Sequence, residues 1–246
     1  MRKLLAAFVF SLALTANQAF ADDERLAVAK AAWDKLDYAT AYRLLIPLAK
    51  EGIEDAQITL GHMLDLGIGV KEDFTQALYW FRLLADKKSA RGQFYLGQMY
   101  ELGRGVEKNM AEAVRLYQLS ATNEEFNDFR AQHRLSLMYS RGKGVEQDSK
   151  IAFSWEKKAA ENGLATAQNR LANLYYEGIG VAQDYTQAFY WSLKAAEQGH
   201  TNAQCDVSFY YTQGMGVKKD PVKAEYWHDK ATKNGASPDE CDPVRS

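Results

Sequence analysis

The chain has 246 residues, of which 30 are basic and 32 are acidic, so its net charge at neutral pH is −2. A balanced charge without a basic stripe lacks the electrostatic footprint of nucleic-acid binding, so nucleic acid is not expected as a partner. The sequence has one short apolar run, close to its first residue, and no later segment is expected to insert stably into a membrane.

Residues 1–21 have the three parts of a secretory signal peptide. Arg2 and Lys3 provide the basic start, a short apolar run follows, and Ala19-Phe20-Ala21 is a small-x-small cleavage site. The run is too short to span a bilayer comfortably. We expect cleavage after Ala21 and a periplasmic or secreted product, with a retained N-terminal anchor as the alternative.

Residues 22–51 are predicted to form a helical pair. Asp37, Ala41 and Leu44 lie 36 residues before the matching Asp, Ala and Trp of a repeat that follows, but the glycine corner of that repeat is missing. This predicts a degenerate repeat that caps the N-terminal end, with Pro47 expected to kink its second helix.

A short glycine motif, G-x-G-V, then recurs through residues 52–235. Its first glycines are Gly67, Gly103, Gly142, Gly178 and Gly214, at steps of 36, 39, 36 and 36 residues. A fixed period in this range is typical of a repeat array. A phosphate-binding glycine loop follows a strand and occurs once, whereas these motifs follow helical patterns. The glycines are therefore expected to serve the backbone and not a nucleotide.

Each repeat is predicted to contain two helices, here called helix A and helix B. Counted from the first glycine, small or apolar residues at −11, −7, −4 and −3 lie on one face of helix A, and glutamine stands at −10 in all five repeats. The first glycine suits the left-handed position past a helix end. An Asp or Asn at +6 is a good N-cap for helix B, which has Ala at +10 and mostly Trp at +13.

Stacking of such units buries the apolar faces that no single unit can bury alone. The pattern predicts an all-α fold, a right-handed superhelical α-solenoid of five helix-turn-helix repeats behind the degenerate N-terminal pair. Three extra residues within Thr122–Phe129 are expected to bend the array or to form a local protrusion. The tryptophans at +13 are assigned to the core.

The combined pattern is similar to the Sel-1-like repeat family, whose members are relatives of tetratricopeptide repeats. The resemblance covers about residues 53–235 and rests on A-Q, L-G, Y, G-x-G-V, D, A and W in this order. It implies an α-helical superhelix that binds other proteins and, in exported bacterial members, an adaptor, regulator or host-contact role. Some secreted relatives have a cysteine pair in each repeat and are linked to β-lactam binding or hydrolysis; this chain lacks those pairs.

Residues 236–246 are predicted to be a tail that begins like a sixth helix A. Cys241 in this tail lies 36 residues after Cys205, one full period. An exported compartment permits a disulfide. Equivalent positions on packed helices, however, are about 8–10 Å apart, whereas a disulfide needs about 4.4–6.8 Å between α carbons. A disulfide, two free thiols and a cross-link to another chain are the three alternatives.

No arrangement of reactive residues in the sequence indicates catalysis, a metal site or a cofactor. The four histidines share no face and lack zinc-ligand spacing, and are interpreted as exposed helix residues: His62, His133, His200 and His228. Ser140 and Ser154 each precede a lysine by three residues, but the S-D-N and K-T-G elements of penicillin-recognising enzymes are absent. We expect a protein that is not an enzyme.

A second face of helix A is the predicted binding surface. Positions −12, −8, −5 and −1 form a stripe about 110° from the core stripe, and its residues vary between repeats. Aromatic residues and arginine dominate binding hot spots. The predicted contacts, with a solvated face as the alternative for each, are Tyr95, Gln98, Arg134, Arg170, Asn173 and Phe209.

The predicted function is that of an exported repeat scaffold that binds a protein or peptide in the periplasm, as an adaptor or regulator. The first alternative is a secreted protein that binds a host or envelope glycan. A more remote alternative is a β-lactam-binding or hydrolysing enzyme. The sequence does not separate a peptide ligand from a glycan, because both can be bound by aromatic and polar side chains.

Overall fold

The computed structural model describes residues 24–123, 126, 128–237 and 241. The predicted signal peptide with its cleavage site lies outside the described residues. So do residues 124, 125 and 127 of the predicted insertion, and most of the C-terminal tail.

The described residues form twelve α-helices and no strand, which confirms the predicted all-α helical repeat fold. The helices are α1 (Glu24–Asp34), α2 (Tyr38–Glu51), α3 (Glu54–Leu66), α4 (Phe74–Asp86), α5 (Ala90–Leu102), α6 (Met110–Ala121), α7 (Phe129–Arg141), α8 (Ser149–Glu161), α9 (Ala165–Glu177), α10 (Tyr185–Glu197), α11 (Thr201–Gln213) and α12 (Pro221–Lys233). Helices α3, α5, α7, α9 and α11 are the predicted helices A, and the even-numbered helices from α4 onwards are helices B.

The chain divides into two compact units, residues 1–128 and 129–246. In the first unit, helices α1 to α6 each pack against their neighbour in the sequence, and helices α7 to α12 do the same in the second. Asp37 is the N-cap of α2, as predicted for the degenerate pair, and Pro47 lies inside α2 without ending it.

One corner geometry joins helix A to helix B in every repeat. In the fourth repeat, Gly178 has φ +71° at the end of α9, and the N–H of Ile179 donates to the carbonyl of Leu174. The N–H of Asp184 then donates to the carbonyl of Tyr175, and the carboxylate of Asp184 accepts from the first turn of α10. These bonds satisfy backbone groups that a helix end leaves unpaired. The glycines therefore have a structural role, because they allow the backbone conformation of the corner.

The second glycine of the motif permits a close contact between successive repeats. A Cβ placed on Gly180 would overlap the carbonyl oxygen of Ser149, at the start of helix B of the preceding repeat. The same overlap would occur between Gly216 and Tyr185, and between Gly105 and Phe74. Only glycine leaves room for this approach while also adopting a positive φ.

In three repeats the glutamine at −10 links helix A to the helix before it. The Nε2 of Gln57, Gln168 and Gln204 donates to the carbonyl of Ala49, Ala160 and Ala196, respectively. These carbonyls belong to the last turn of the preceding helix, where each also accepts from the N–H of the glycine three residues later. A buried side-chain amide therefore replaces water at this junction.

The alanines and tryptophans of helix B lie in the core, as predicted. The alanines at +10 are fully or almost fully buried, and Trp80, Trp191 and Trp227 are buried, whereas Trp155 is half-buried. In the last repeats, Trp227 packs with Ala203 and Val207 of the preceding helix A. The small residues allow helices to approach closely, and the indole rings fill the space beside them.

Candidate functional site

The predicted binding stripe has residues in both units, and each unit is described by itself. In the first unit, Tyr95 on α5 is only 8% exposed. Its ring centroid lies 4.2 Å from that of His62 and 5.2 Å from that of Phe81. Tyr95 thus packs α5 onto α3 and α4 and offers little surface to a partner, while Gln98 is half-buried.

The other four predicted residues lie in the second unit, on three successive helices A. Asn173 on α9 is exposed, and Arg134 on α7, Arg170 on α9 and Phe209 on α11 are half-buried. Arg170 and Asn173 are on adjacent turns of α9, which brings a cation and an amide onto the same face. The second unit therefore exposes more of the predicted stripe than the first unit does.

A fully buried carboxylate underlies this stripe. The side chain of Glu156 on α8 is 0% exposed, and its Oε1 lies 2.7 Å from Nδ1 of His133 on α7. Its Oε2 lies 3.4 Å from Nε of Arg170 on α9 but makes no hydrogen bond to the described residues. One carboxylate thus connects three helices. Because burying a charge is costly unless it is paired and hydrogen-bonded, this carboxylate requires the partners that α7 and α9 supply.

The guanidinium of Arg170 contacts protein groups on one side and is accessible to solvent on the other. Its Nη2 donates to Oγ of Ser140 at 3.1 Å, and that hydroxyl donates to the carbonyl of Leu137. The side chain is 31% exposed. A guanidinium has five N–H donors, and within the described part of the chain Nη1 has no partner. The arginine is therefore oriented by the protein, with donors left for a ligand.

An aromatic group lies farther along α9, on the side of the helix that contacts α11. Tyr176, on α9, has its ring centroid 6.4 Å from that of Phe209 and 6.2 Å from that of Tyr210, both on α11. Burial raises the pKa of Tyr210, and the neighbouring carboxylate of Asp206 raises it further. The Tyr210 hydroxyl therefore stays protonated at neutral pH. The surface formed by α9 and α11 thus combines an oriented cation, an exposed amide and aromatic rings.

The histidines differ from the exposed helix residues that the sequence predicts. His62 is stacked between rings, His133 is paired with Glu156, and His200 is the N-cap of α11, where its Nδ1 accepts from the N–H of Ala203 at 3.3 Å. His228, on α12, is half-buried, with 40% of its side chain exposed. The prediction was wrong for three of them because a helix position alone does not say which neighbouring helix covers it. Within the described ranges, no group of three His, Cys, Asp or Glu side chains could hold a metal ion.

The two serines with a lysine three residues later are bonded to the helix backbone. Ser140 donates to Leu137, as described above, and Oγ of Ser154 donates to the carbonyl of Ile151 at 2.7 Å. Such bonds back to the preceding turn are common for serine in a helix. Neither hydroxyl is arranged here as a nucleophile with a base beside it.

Cys205 and Cys241 form a disulfide in the structure, with 4.6 Å between their α carbons. This separation is shorter than the usual distance between packed helices because Cys241 does not lie in a helix. Both cysteines are buried, together with Ala231 and Ala236. The bond fixes the tail to α11, in the last repeat.

Sequence reasoning missed Glu156 and the role of His133. A signal for both was present in the repeat alignment. The position of Glu156, at +14, holds Phe81, Tyr117, Ser192 and His228 in the other repeats. Only the third repeat has an acidic residue at this position, which predicts a buried charge, and a buried charge needs a partner.

Five copies of the Sel1 repeat model match the chain, at residues 54–89, 90–124, 129–164, 165–200 and 201–235. A comparison with curated proteins gives no match. In the described residues, no helix has the length and apolar character needed to cross a membrane.

Among solved structures, the chain is similar to a protective antigen present in uropathogenic Escherichia coli strains, with an SLR fold. The two share 37% identity and a TM-score of 0.71, over 80% of this chain and 42% of the antigen, so the chain spans less than half of the antigen's length. A Sel1 repeat protein from Oxalobacter formigenes has 29% identity and a TM-score of 0.77, over 86% of this chain and 85% of that one. An immunity protein from Pseudomonas aeruginosa has 20% identity and a TM-score of 0.60, over 86% and 83%, and supports the fold alone.

Proposed function

Because the chain belongs to the Sel1 repeat family, we propose that it is a repeat scaffold that binds a protein or peptide through the helix-A face of its second unit. Sel1 repeats commonly serve as interaction scaffolds, and a Sel1 repeat protein of known structure matches most of this chain. The proposal assigns the function to a surface and not to a reaction.

One observation carries this proposal. The side chain of Arg170 is oriented by a buried carboxylate and a serine, yet it remains accessible to solvent beside the exposed Asn173. A scaffold position that served stability alone would not require a buried charge, which apolar residues of similar volume often replace without loss. The second unit also supplies the rings of Tyr176 and Phe209, and aromatic residues are enriched in binding hot spots.

We further propose that the protein acts after export, in the periplasm. Residues 1–21 have the pattern of a secretory signal peptide, and a disulfide such as that between Cys205 and Cys241 persists in oxidising compartments. Fractionation of cells that produce the full chain tests this proposal. The expected result is a periplasmic protein that begins after Ala21, whereas a cytoplasmic protein with free thiols would contradict it.

Site-directed photocrosslinking in living cells tests the proposed surface. A benzophenone amino acid in place of Asn173 is expected to capture a partner that mass spectrometry can identify. The matched control places the same amino acid at Tyr226, which is exposed on α12. Capture at both positions would indicate non-specific contact, and capture only at Tyr226 would move the binding surface to helix B.

A location outside the cell is a second candidate. The similarity to a protective antigen favours it, because an antigen that protects must be accessible to the host. Secretion of the mature chain into the medium, with little in the periplasm, would support this candidate.

A further inference from the structure

We propose that the second unit recognises an acidic side chain in an extended segment of its partner, with Arg170 as the residue that binds the carboxylate. The inference rests on the proposed function and specifies the chemistry of the partner. It comes from the arrangement of Glu156 and Ser140 around the guanidinium of Arg170, which is accessible to solvent.

The orientation of the guanidinium is the first step. Its Nε faces Glu156 at 3.4 Å, and one Nη2 hydrogen is used by Ser140 at 3.1 Å. The remaining donors are on the two terminal nitrogens, so the guanidinium can present its terminal edge to a ligand. That edge matches the two oxygens of a carboxylate, which arginine binds in a bidentate manner.

The charges on neighbouring helices favour a position of the partner's carboxylate toward α7. Arg134 occupies on α7 the position that Arg170 occupies on α9, whereas Asp206 occupies it on α11. A carboxylate bound at Arg170 would be attracted toward α7 and repelled from the α11 side. Glu156, which is fully buried, acts as a positioning residue behind the arginine.

The spacing along α9 indicates what lies next to the acidic residue. Asn173 and Tyr176 follow Arg170 by three and six residues, so Tyr176 is about 9 Å farther along the helix axis, at about 1.5 Å per residue, and about 120° around it, on the side that contacts α11. An extended peptide covers about 3.3 Å per residue. The segment would therefore have an apolar or aromatic side chain two or three residues from its Asp or Glu, seated against Tyr176 and Phe209. The amide of Asn173 would bind the peptide backbone between them.

The probe is a phage-displayed library of random dodecapeptides that have no free C-terminus. Selection on the full mature protein is expected to enrich Asp or Glu with an apolar residue two or three positions away. In titration calorimetry of an enriched peptide, Arg170→Gln is expected to weaken binding roughly 10- to 100-fold, the loss of a charge-assisted hydrogen-bond pair. Arg170→Lys, which keeps the charge but loses the bidentate edge, is expected to have an intermediate effect.

A double-mutant cycle separates recognition from a structural role. Changing the acidic residue of the peptide to its amide leaves the protein intact and is expected to weaken binding as much as Arg170→Gln does. It is expected to cause no further loss when combined with Arg170→Gln. Glu156→Gln is expected to reduce this coupling, whereas a merely structural role would weaken all peptides equally. The matched control is Lys194→Gln, which removes an exposed cation from α10 and is expected to have no effect.

The possible outcomes distinguish this inference from the proposed function. Enriched peptides without an acidic residue, whose binding is lost in Phe209→Ala but not in Arg170→Gln, would overturn the inference and leave the binding surface intact. Enrichment that depends on neither residue would overturn the inference and move the surface elsewhere. No enrichment, together with no crosslink at position 173, would overturn both proposals.

Discussion

The α carbon of Gly180 lies directly against the carbonyl oxygen of Ser149, in the preceding repeat, with no space for a side chain between them. Gly180 also has φ +73°, in the left-handed region. One residue thus meets a local requirement of the corner and a contact requirement of the array. Gly163, at the end of helix B, has φ +92° but nothing within 4 Å of a Cβ placed on it. Gly163 therefore meets only the local requirement, whereas Gly180 meets both.

Gly180→Ala is expected to be much more destabilising than Gly163→Ala. The left-handed backbone costs about 1–2 kcal/mol for a residue with a Cβ, and the overlap at Gly180 adds about 1–3 kcal/mol. Urea unfolding followed by circular dichroism measures both variants. Equal losses in the free energy of unfolding would show that the contact with Ser149 relaxes without cost.

Gln168→Ala is expected to lower the free energy of unfolding by about 1–3 kcal/mol, because it removes both hydrogen bonds of a buried amide, one donated to the carbonyl of Ala160 and one accepted from Gln198. Gln198 is the matched control. It is exposed and donates to Oε1 of Gln168 at 2.7 Å, so Gln198→Ala removes only one of these two bonds. Its expected loss is about 0.5–1 kcal/mol. Similar losses for the two variants would contradict the role assigned to the glutamine at −10.

His200 is expected to make the stability of the second unit depend on pH. Burial lowers the pKa of its imidazole below the ordinary value of 6.5, and Nδ1 must be unprotonated to accept from Ala203. The unfolded chain therefore binds a proton more readily than the folded one. The stability is fully present above pH 6.5 and declines as the pH falls from there toward the folded pKa.

His200→Ser tests this pH dependence. Serine is also an N-cap, as Ser89 is for α5, so the variant is expected to keep most of the stability at pH 7.5 and to lose less between pH 7 and pH 5. His200→Ala, which has no cap, is expected to lose about 1 kcal/mol at neutral pH. Unfolding curves at several pH values provide the measurement. If the free energy of unfolding of the serine variant depends on pH in the same way as that of the unchanged protein, His200 is not the source of the pH dependence.

Cys241→Ser is expected to lower the free energy of unfolding by about 2–4 kcal/mol, the usual contribution of a disulfide that closes a loop of this length. A reductant is expected to destabilise the unchanged protein by a similar amount and to have no effect on the variant. Mass spectrometry after alkylation without reduction reports the bond directly. Two alkylated thiols in protein purified from the periplasm would contradict it.

The repeat architecture could be predicted from the sequence because it depends on local chemistry. A glycine past a helix end, an Asp or Asn six residues later and an alanine at +10 each have one structural meaning, and the structure places them accordingly at Gly178, Asp184 and Ala188. Such signals need no knowledge of which helix packs where. Repetition then strengthened each of them five times.

The site was less predictable because exposure depends on neighbouring helices. Tyr95 and Arg170 have the same position in their repeats, yet Tyr95 is buried against His62 and Phe81, whereas Arg170 reaches solvent above Glu156. The residue at +14 of the preceding repeat decides between the two. That residue is Phe81 beneath Tyr95 and Glu156 beneath Arg170, so the prediction required a comparison between repeats and not within one.

The close contact at the second glycine also bears on how such a chain can evolve. Deletion of residues 165–200 would bring Gly216 opposite Ser149 and Gln204 opposite the carbonyl of Ala160, each in place of an identical residue. Duplication or loss of a whole repeat thus preserves these two backbone contacts of the scaffold. The same deletion would put Asp206 where Arg170 meets Glu156 and would set two carboxylates against each other. The number of repeats can therefore change during evolution, while selection for the bound partner would act on the order of the repeats.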